Sequence, residues 1–303
     1  MLEEYIVNYL NFCRKQKNLS ANTIRTYGLD LGQFKRFIHG ETIVTRMLVQ
    51  NYMESLNDTH KPASVKRKFA VLRSFFYYVE EEYGYENPFL RLKFKIKEQK
   101  RLPRLIPAEM IQHLLKTLYK QKTLETSRSK KYAELVKDIA VLELLFATGL
   151  RVSELCALSK SDIDIQTGNA LIYGKGGKMR LVYVVNAEVI EILREYASIF
   201  AASIIKTDCF FINRVNKPLS PDSVRSMIRR RTEEAKIPIH ITPHMFRHSF
   251  ATLLLEEDVD IRYIQHFLGH SSIVTTQIYT HVSVKKQRAI LSAKHPRNNM
   301  SMT

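Results

Sequence analysis

Residues 242–282 read TPHMFRHSFATLLLEEDVDIRYIQHFLGHSSIVTTQIYTHV, and this stretch decides the fold of the second half of the chain. Its apolar residues predict short helices over 243–256, 260–268 and 271–280. Several polar residues lie among them without a packing role that the pattern explains. We therefore treat the stretch as a candidate site built on helices.

Two pairs of polar residues in this stretch fit an anion-binding site. His244 and Arg247 stand three residues apart, so on a helix they share a face and can converge on one anion. His270 and Tyr279 are nine residues apart, which is too far for one helical turn but close if a short connection folds back. These residues are compatible with a phosphate-binding cluster.

Two further polar segments lie upstream, ATGLRVSEL at 147–155 and GKGGK at 174–178. The second joins two runs of β-forming residues, ALIYG and RLVYVV, which predicts a β-hairpin over 170–185. GKGGK is not a nucleotide-binding P-loop, because the required spacing and the Ser or Thr after the Lys are missing. Other elements predicted here are helices over 107–120, 131–147 (ending at Gly149), 220–236 and 284–293, and a short strand CFFIN over 209–213.

The first 90 or so residues are predicted to form a small four-helix unit. Ser20 is a good N-cap for a helix whose apolar face is Ile24, Tyr27, Leu31, Phe34 and Ile38. Other helices are indicated before Ser20, around Tyr52 and after Pro62. The helix after Pro62 also carries basic residues that either track DNA phosphates or form a solvated face, namely Lys66, Arg67, Lys68 and Arg73.

A basic segment separates the two halves of the chain. Before Pro107 the sequence KFKIKEQKRLPR has no helical apolar stripe, which is typical of an exposed linker. The charge of this linker suits a segment that crosses a DNA backbone, or it simply keeps the segment soluble. On the first interpretation, the DNA-binding residues are Lys100, Arg101 and Arg104. We divide the chain into an N-terminal helical domain over 1–98, a linker over 99–106 and a second domain over 107–303.

The composition favours a nucleic-acid partner and a cytoplasmic location. The net charge is +17 and the pI is near 9.7, and Lys and Arg release counterions when they neutralise a polyphosphate. A ribosome-associated or merely soluble basic protein is the alternative. The apolar runs fall short of the roughly 18 residues of a membrane span, and the N-terminus lacks the basic residues of a secretory signal. Three widely spaced cysteines, Cys13, Cys156 and Cys209, favour reduced thiols.

Together these segments resemble the tyrosine recombinase (phage integrase) family, close to its Xer branch. Residues 242–282 look like the signature region of the family, and ATGLRVSELCAL and GKGGKMRLV resemble its other two boxes. The likeness covers 107–292, and LSANTIRTYGLDLGQF resembles the family's DNA-clamping domain more weakly. The resemblance implies a mainly α fold with a small β-sheet: an N-terminal four-helix, SAM-like DNA-clamping domain and an α+β tyrosine recombinase catalytic domain.

The resemblance also implies the chemistry and the residues that perform it. The nucleophile of the family falls on Tyr279, whose attack on DNA gives a covalent 3′-phosphotyrosine that keeps the bond energy for rejoining. Planar guanidiniums stabilise the phosphate charge as a metal ion does elsewhere, so no cofactor and no metal is expected. The other catalytic positions fall on Arg151, Lys175, His244, Arg247 and His270.

The family resemblance further implies the partners. They are double-stranded DNA recombination sites, and further copies of the chain in a homotetramer on DNA that exchanges strands through a Holliday junction, with no membrane involved. The tail from Lys285 resembles the C-terminal helix that docks onto a neighbouring protomer, and a helix that caps its own domain is the alternative. A type IB topoisomerase and a DNA-binding regulator without cleavage remain alternative functions.

Three other features have competing interpretations. The polar stretch 121–134 is predicted to be a DNA-contacting loop or a disordered spacer. HMFRH and HFLGH place histidines four residues apart, as in zinc sites, but each lacks the Glu of the metalloprotease motif. The remaining histidines and tyrosines of the boxes are given structural or orienting roles: His248, His266, His281, Tyr173, Tyr183 and Tyr263.

Overall fold

The computed structural model confirms a mainly helical fold with a small sheet. It describes residues 2–41, 43–90, 92, 94, 105–174, 179–269 and 284–300. The chain forms two compact units, Met1–Arg101 and Leu102–Thr303. Within the described ranges, no helix combines the length and the apolar character that crossing a membrane would require.

The N-terminal unit is built from helices whose apolar faces meet in one core. Ser20 caps the second helix as predicted, since its hydroxyl accepts a hydrogen bond from the backbone N–H of Thr23 at 3.2 Å. Phe34, Tyr52 and Phe76 are buried at the centre of the unit. The helices are α1 (Leu2–Lys15), α2 (Ala21–Phe37), α3 (Arg46–Thr59) and α4 (Pro62–Tyr83).

The C-terminal unit is organised around one buried helix, α6. Every residue of α6 from Leu135 to Thr148 is buried, because other helices pack against it on several sides. The helices of this unit are α5 (Ala108–Thr123), α6 (Lys130–Thr148), α7 (Val152–Cys156), α8 (Ala187–Ile199), α9 (Ala201–Thr207), α10 (Pro221–Glu234), α11 (Pro243–Glu256), α12 (Ile261–Leu268) and α13 (Val284–Lys294).

A three-stranded antiparallel sheet contains the predicted hairpin. Strand β2 (Asn169–Tyr173) pairs with β3 (Met179–Tyr183), and Tyr173 lies opposite Met179, at the end of the ladder nearest to the GKGGK sequence. The short strand β1 (Ile163–Asp164) pairs with the other edge of β2 and was not predicted. The hairpin prediction is therefore confirmed, and the sheet has one more strand.

The predicted strand over 209–213 is wrong. Phe210 and Phe211 are buried, but the segment makes only isolated bridges, between Ser159 and Cys209 and between Ile212 and Pro218. The backbone N–H of Ile212 donates to the Tyr196 hydroxyl at 3.0 Å instead of to a neighbouring strand. A short apolar run indicates burial without specifying a ladder.

The polar stretch 121–134 is mostly helical rather than a long loop or a spacer. Helix α5 continues to Thr123 and α6 begins at Lys130, where Ser129 is its N-cap. Lys122 forms a 2.6 Å ion pair with Glu195 of α8. Residues 124–129 are therefore the only part of this stretch that connects the two helices.

The segment 284–300 packs against its own unit, which agrees with the alternative interpretation that the tail caps its own domain. Leu291 joins a small apolar cluster with Phe250 and Leu254 of α11. His295 and Arg297 are only 2% and 1% exposed. The tail is thus part of the fold of the single chain.

Buried polar contacts fix this tail to α6 and α8. The Arg297 guanidinium donates to both oxygens of Glu143 at 3.0–3.1 Å and to Glu188 at 2.5 Å. His295 accepts from the Arg297 backbone N–H through Nδ1 and donates from Nε2 to the Ala147 carbonyl, both at 3.0 Å. The docked tail therefore needs a neutral imidazole.

The buried imidazole is expected to make the C-terminal unit less stable in acid. Burial lowers the pKa of His295 from 6.5 to about 4, against the opposing effect of its bond to Ala147. The unfolded chain then binds more protons than the folded chain between these values, so the free energy of unfolding should fall by up to about 3 kcal/mol as the pH falls through that window. Urea denaturation of the full chain at pH 7.5 and pH 4.5 measures the change.

The matched variant is His295→Gln, which keeps a donor and an acceptor but does not titrate. Lowered pKa values of His244 and His266 add to the pH dependence with the same sign. The informative quantity is therefore the difference between the wild-type chain and the variant. An equal loss of stability in both proteins would contradict the assignment to His295.

Candidate active site

Gly149 sets the position of Arg151. This glycine ends α6 in the left-handed conformation with φ +61°, and an added Cβ would lie 2.7 Å from the Phe250 ring and 2.8 Å from Leu268. Only glycine fits this close approach without strain. The chain reverses there, and Arg151 follows as the N-cap residue of α7.

Glu154 holds Arg151 in place. Its carboxylate accepts the Arg151 backbone N–H at 2.9 Å and the guanidinium Nη1 at 2.7 Å. Burial raises the pKa of Glu154, but the bonds from Arg180 and Arg151 outweigh it and lower the pKa to about 2. The Arg151 side chain remains 37% exposed, so part of the guanidinium faces outward.

Arg247 is buried beside Arg151 and ties two helix ends together. Its Nη1 donates to the Gly149 carbonyl at 2.8 Å and its Nη2 donates to the Leu268 carbonyl at 2.6 Å. Burial, and then the charge of Arg151, lowers its pKa to about 10, so the side chain is still a cation at neutral pH. Two guanidiniums thus meet at one place, as a site for a phosphate requires.

His244 belongs to the same cluster. It lies in the first turn of α11, and its ring centroid is 5.5 Å from that of His248. Burial lowers the pKa of His244, and the charges of His248, Arg247 and Arg151 lower it further. The neutral imidazole that results is the form that accepts a proton.

Three of the six predicted catalytic residues, Lys175, His270 and Tyr279, lie outside the described residues. The structure does place their chain neighbours. Strands β2 and β3 flank the segment that holds Lys175, and Gly269, with φ +63°, ends α12 one residue before His270. The described part of the site is thus the arginine and histidine cluster.

Sequence reasoning missed two charged residues of this cluster, Glu154 and Arg180. Arg180 on β3 is 9% exposed and forms a bidentate ion pair with Glu154 at 2.8–3.0 Å. Glu154 could have been predicted from the sequence, because a Glu three residues after the N-cap position, here Arg151, is a local signal of a capping side chain. Nothing local marks Arg180, because its partners lie on α7 and α12.

The described basic residues of α4 do not all fit a DNA-binding role. Lys68 is 5% exposed and donates to Asp30 at 2.8 Å and to Gln33 at 2.5 Å, so we remove it from the candidate set. Arg67 also pairs with Asp30, although its side chain is 40% exposed. Arg73 lies over the Tyr77 ring at the surface. Lys66 is exposed on the same helix, and the linker residues Lys100, Arg101 and Arg104 lie outside the described residues.

Metal binding is the alternative role of the histidines. In the part of the chain that the structure describes, no three His, Cys, Asp or Glu side chains come together as metal ligands would. His270 and His281 lie beyond that part.

Comparisons with known proteins match both units. Residues 108–286 match the phage integrase family, and residues 6–82 match the N-terminal SAM-like domain of phage integrases. A tyrosine recombinase of Agathobacter rectalis is 45% identical over 302 residues, 98% of each chain. Tyrosine recombinase XerD of Staphylococcus aureus is 36% identical over 98% of this chain and 100% of its own.

A solved structure shares the fold. The XerH site-specific recombinase bound to its difH substrate, in a pre-cleavage complex, superposes with a TM-score of 0.67 at 25% identity, covering 93% of this chain and 82% of that chain. Fold, arginine cluster and relatives together define a site-specific DNA recombinase of the tyrosine type. The chain belongs to the phage integrase family.

Proposed function

We propose that this recombinase cleaves and rejoins DNA through Tyr279. The phenolic oxygen attacks the scissile phosphorus and forms a 3′-phosphotyrosine, while the bond from phosphorus to the 5′ oxygen breaks. Lys175 gives the departing 5′ oxygen its proton. A 5′-hydroxyl of the exchanging strand then attacks the phosphotyrosine and releases the phenol, so the bond energy is kept and no ATP is used.

The observation that carries this proposal is the pair of fixed guanidiniums, Arg151 and Arg247. Each can grip phosphate oxygens and stabilise the charge that grows on them in the transition state. Glu154 orients the first, and the Gly149 and Leu268 carbonyls orient the second. Because these bonds exist in the free protein, the two guanidiniums need little reorganisation when DNA binds.

The histidines supply proton transfer in this scheme. His244 accepts the proton of the phenol, for which its lowered pKa is suited, because the ring is neutral at pH 7. His270 donates to a non-bridging phosphate oxygen. The role of His270 is taken from the family resemblance alone.

We further propose that the enzyme works in the cytoplasm as a homotetramer on paired sites, with strand exchange through a Holliday junction. The net charge of +17 supports DNA binding by both units, and the free cysteines fit a reducing compartment. The tail of each copy would dock on its neighbour in place of its own unit. Lys66, Arg67, Arg73, Lys100, Arg101 and Arg104 are the proposed backbone contacts outside the catalytic unit.

The test uses the full chain and a duplex selected by binding from a random-sequence pool. A nick next to the cleavage point lets a short 5′-hydroxyl strand diffuse away, so we expect a denaturant-resistant adduct with DNA linked through its 3′ end. A plasmid with two copies of the selected site should then lose the DNA between them. Relaxation of supercoils without such exchange would indicate a topoisomerase, and binding without an adduct would indicate a regulator; either result would contradict the proposal.

A further inference from the structure

Arg180 joins three separate elements of the catalytic unit. It lies on β3, two residues after the GKGGK sequence, and its side chain is only 9% exposed. Nη1 and Nη2 donate to the two oxygens of Glu154 on α7, and Nε donates to the Phe267 carbonyl at the end of α12, at 3.0 Å. The side chain therefore uses two donors on Glu154 and a third on the Phe267 carbonyl.

The sharing of Glu154 determines how Arg151 is held. Each carboxylate oxygen accepts one bond from Arg180 and one from Arg151, the latter through its Nη1 and its backbone N–H. A carboxylate offers about four acceptor positions, so Glu154 is saturated. Because Arg180 occupies one position on each oxygen, Arg151 cannot close a bidentate pair with Glu154, and its other guanidinium donors stay available.

The close fit around Arg180 extends to the end of α12. An added Cβ on Gly269 would lie 2.9 Å from Cδ of Arg180 and 3.1 Å from its Nη1, so the backbone passes directly against the side chain. A lysine has a single ammonium and cannot reproduce the planar fork and the Nε bond together. The environment therefore requires an arginine for its geometry as well as its charge.

We propose that Arg180 is a positioning residue that keeps the guanidinium of Arg151 directed at the scissile phosphate by competing for Glu154. The inference rests on the proposed function, since it assigns Arg151 to the phosphate. Without Arg180, both terminal nitrogens of the Arg151 guanidinium would bind the Glu154 carboxylate. They would then no longer be available to the scissile phosphate.

A double-mutant cycle tests this role. Single-turnover cleavage of the nicked duplex is measured for the wild-type chain, Arg180→Lys, Arg151→Lys and the double variant. A misplaced catalytic group can cost about 100-fold in rate, so we expect a loss of that order for Arg180→Lys. In the Arg151→Lys background, Arg180→Lys should lower the cleavage rate by less than about threefold. The guanidinium that Arg180 positions is already absent there.

Three controls separate positioning from other effects. Arg180→Gln is carried through the same cycle in case the lysine variant folds poorly. Arg225→Lys, in which the exchanged side chain pairs with Asp222 on the surface of α10, should cleave at the wild-type rate. DNA affinity should stay near the wild-type value in a positioning variant. Loss of the buried bonds to Glu154 is expected to lower the melting temperature, so the rates are compared at a temperature at which every variant is folded. A 5′-bridging phosphorothiolate duplex, whose thiolate leaves without a proton, should show the same defect as the oxygen duplex.

Several results would overturn the inference. Additive losses in the cycle, or DNA affinity that falls in parallel with cleavage, would show that Arg180 does not act through Arg151. A defect that disappears on the phosphorothiolate duplex would place its effect at the leaving group. If the wild-type chain forms no adduct, the proposed function itself fails and this role with it, whereas an active wild-type chain with additive variants removes only the role of Arg180.

Discussion

Tyr279→Phe is expected to abolish the covalent complex with DNA and to leave binding of the selected duplex unchanged within about twofold. The phenyl ring has no oxygen to attack phosphorus, so the covalent step cannot start. Binding depends instead on the many Lys and Arg contacts with phosphates, which the substitution does not touch. Denaturing electrophoresis of the labelled nicked duplex measures the adduct, and a gel-shift titration at fixed salt measures affinity.

Tyr263→Phe is the matched control. This tyrosine lies on α12, is partly buried, and belongs to the same stretch of sequence. The variant should form the adduct at the wild-type level. An adduct that persists in Tyr279→Phe would show that Tyr279 is not the nucleophile, whereas an adduct lost only in Tyr263→Phe would assign the attack to Tyr263.

Arg247→Lys is expected to slow cleavage by about 100-fold to 1000-fold, the usual cost of removing one fixed donor to a developing negative charge. The guanidinium both faces the cluster and spans the Gly149 and Leu268 carbonyls. A single ammonium cannot hold both carbonyls and reach a phosphate oxygen as well. The single-turnover rate on the nicked duplex measures the loss.

The control for this variant is Arg262→Lys, in which the exchanged side chain pairs with Asp260 on the surface of α12. Its cleavage rate should stay within about twofold of the wild-type rate. Urea denaturation of both variants shows whether Arg247→Lys remains folded under the assay conditions. Cleavage by folded Arg247→Lys at near the wild-type rate would remove Arg247 from the proposed catalytic set.

The sequence predicted the elements whose signal is local. Apolar spacing identified the helices that became α4, α11 and α12, and β-forming runs around GKGGK identified the hairpin. The N-cap role of Ser20 and the end of α6 at Gly149 also follow from neighbouring residues. The arginine and histidine cluster was predictable from the ordered boxes of the family, and the structure brings Arg151, Arg247 and His244 together.

The parts that could not be predicted depend on pairing between distant residues. Lys68 looked like one more exposed cation of α4, but its partner Asp30 lies 38 residues earlier on a buried face of α2. Arg180 is separated from Glu154 by 26 residues, and Arg297 from Glu143 by 154. Helical periodicity predicts which face of its own helix a charged residue lies on. It does not predict which oppositely charged residue packs against that face.

The docked tail has a consequence for how copies of this chain associate. Arg297 binds Glu143 within one chain, and in the proposed assembly the Arg297 of an identical neighbour could make the same contacts. Trading tails between neighbours then leaves the enthalpy of docking unchanged, and local concentration decides the arrangement. Under the proposed assembly on DNA, dilute molecules would keep their own tails, whereas molecules side by side on one duplex would exchange them at little net cost in free energy.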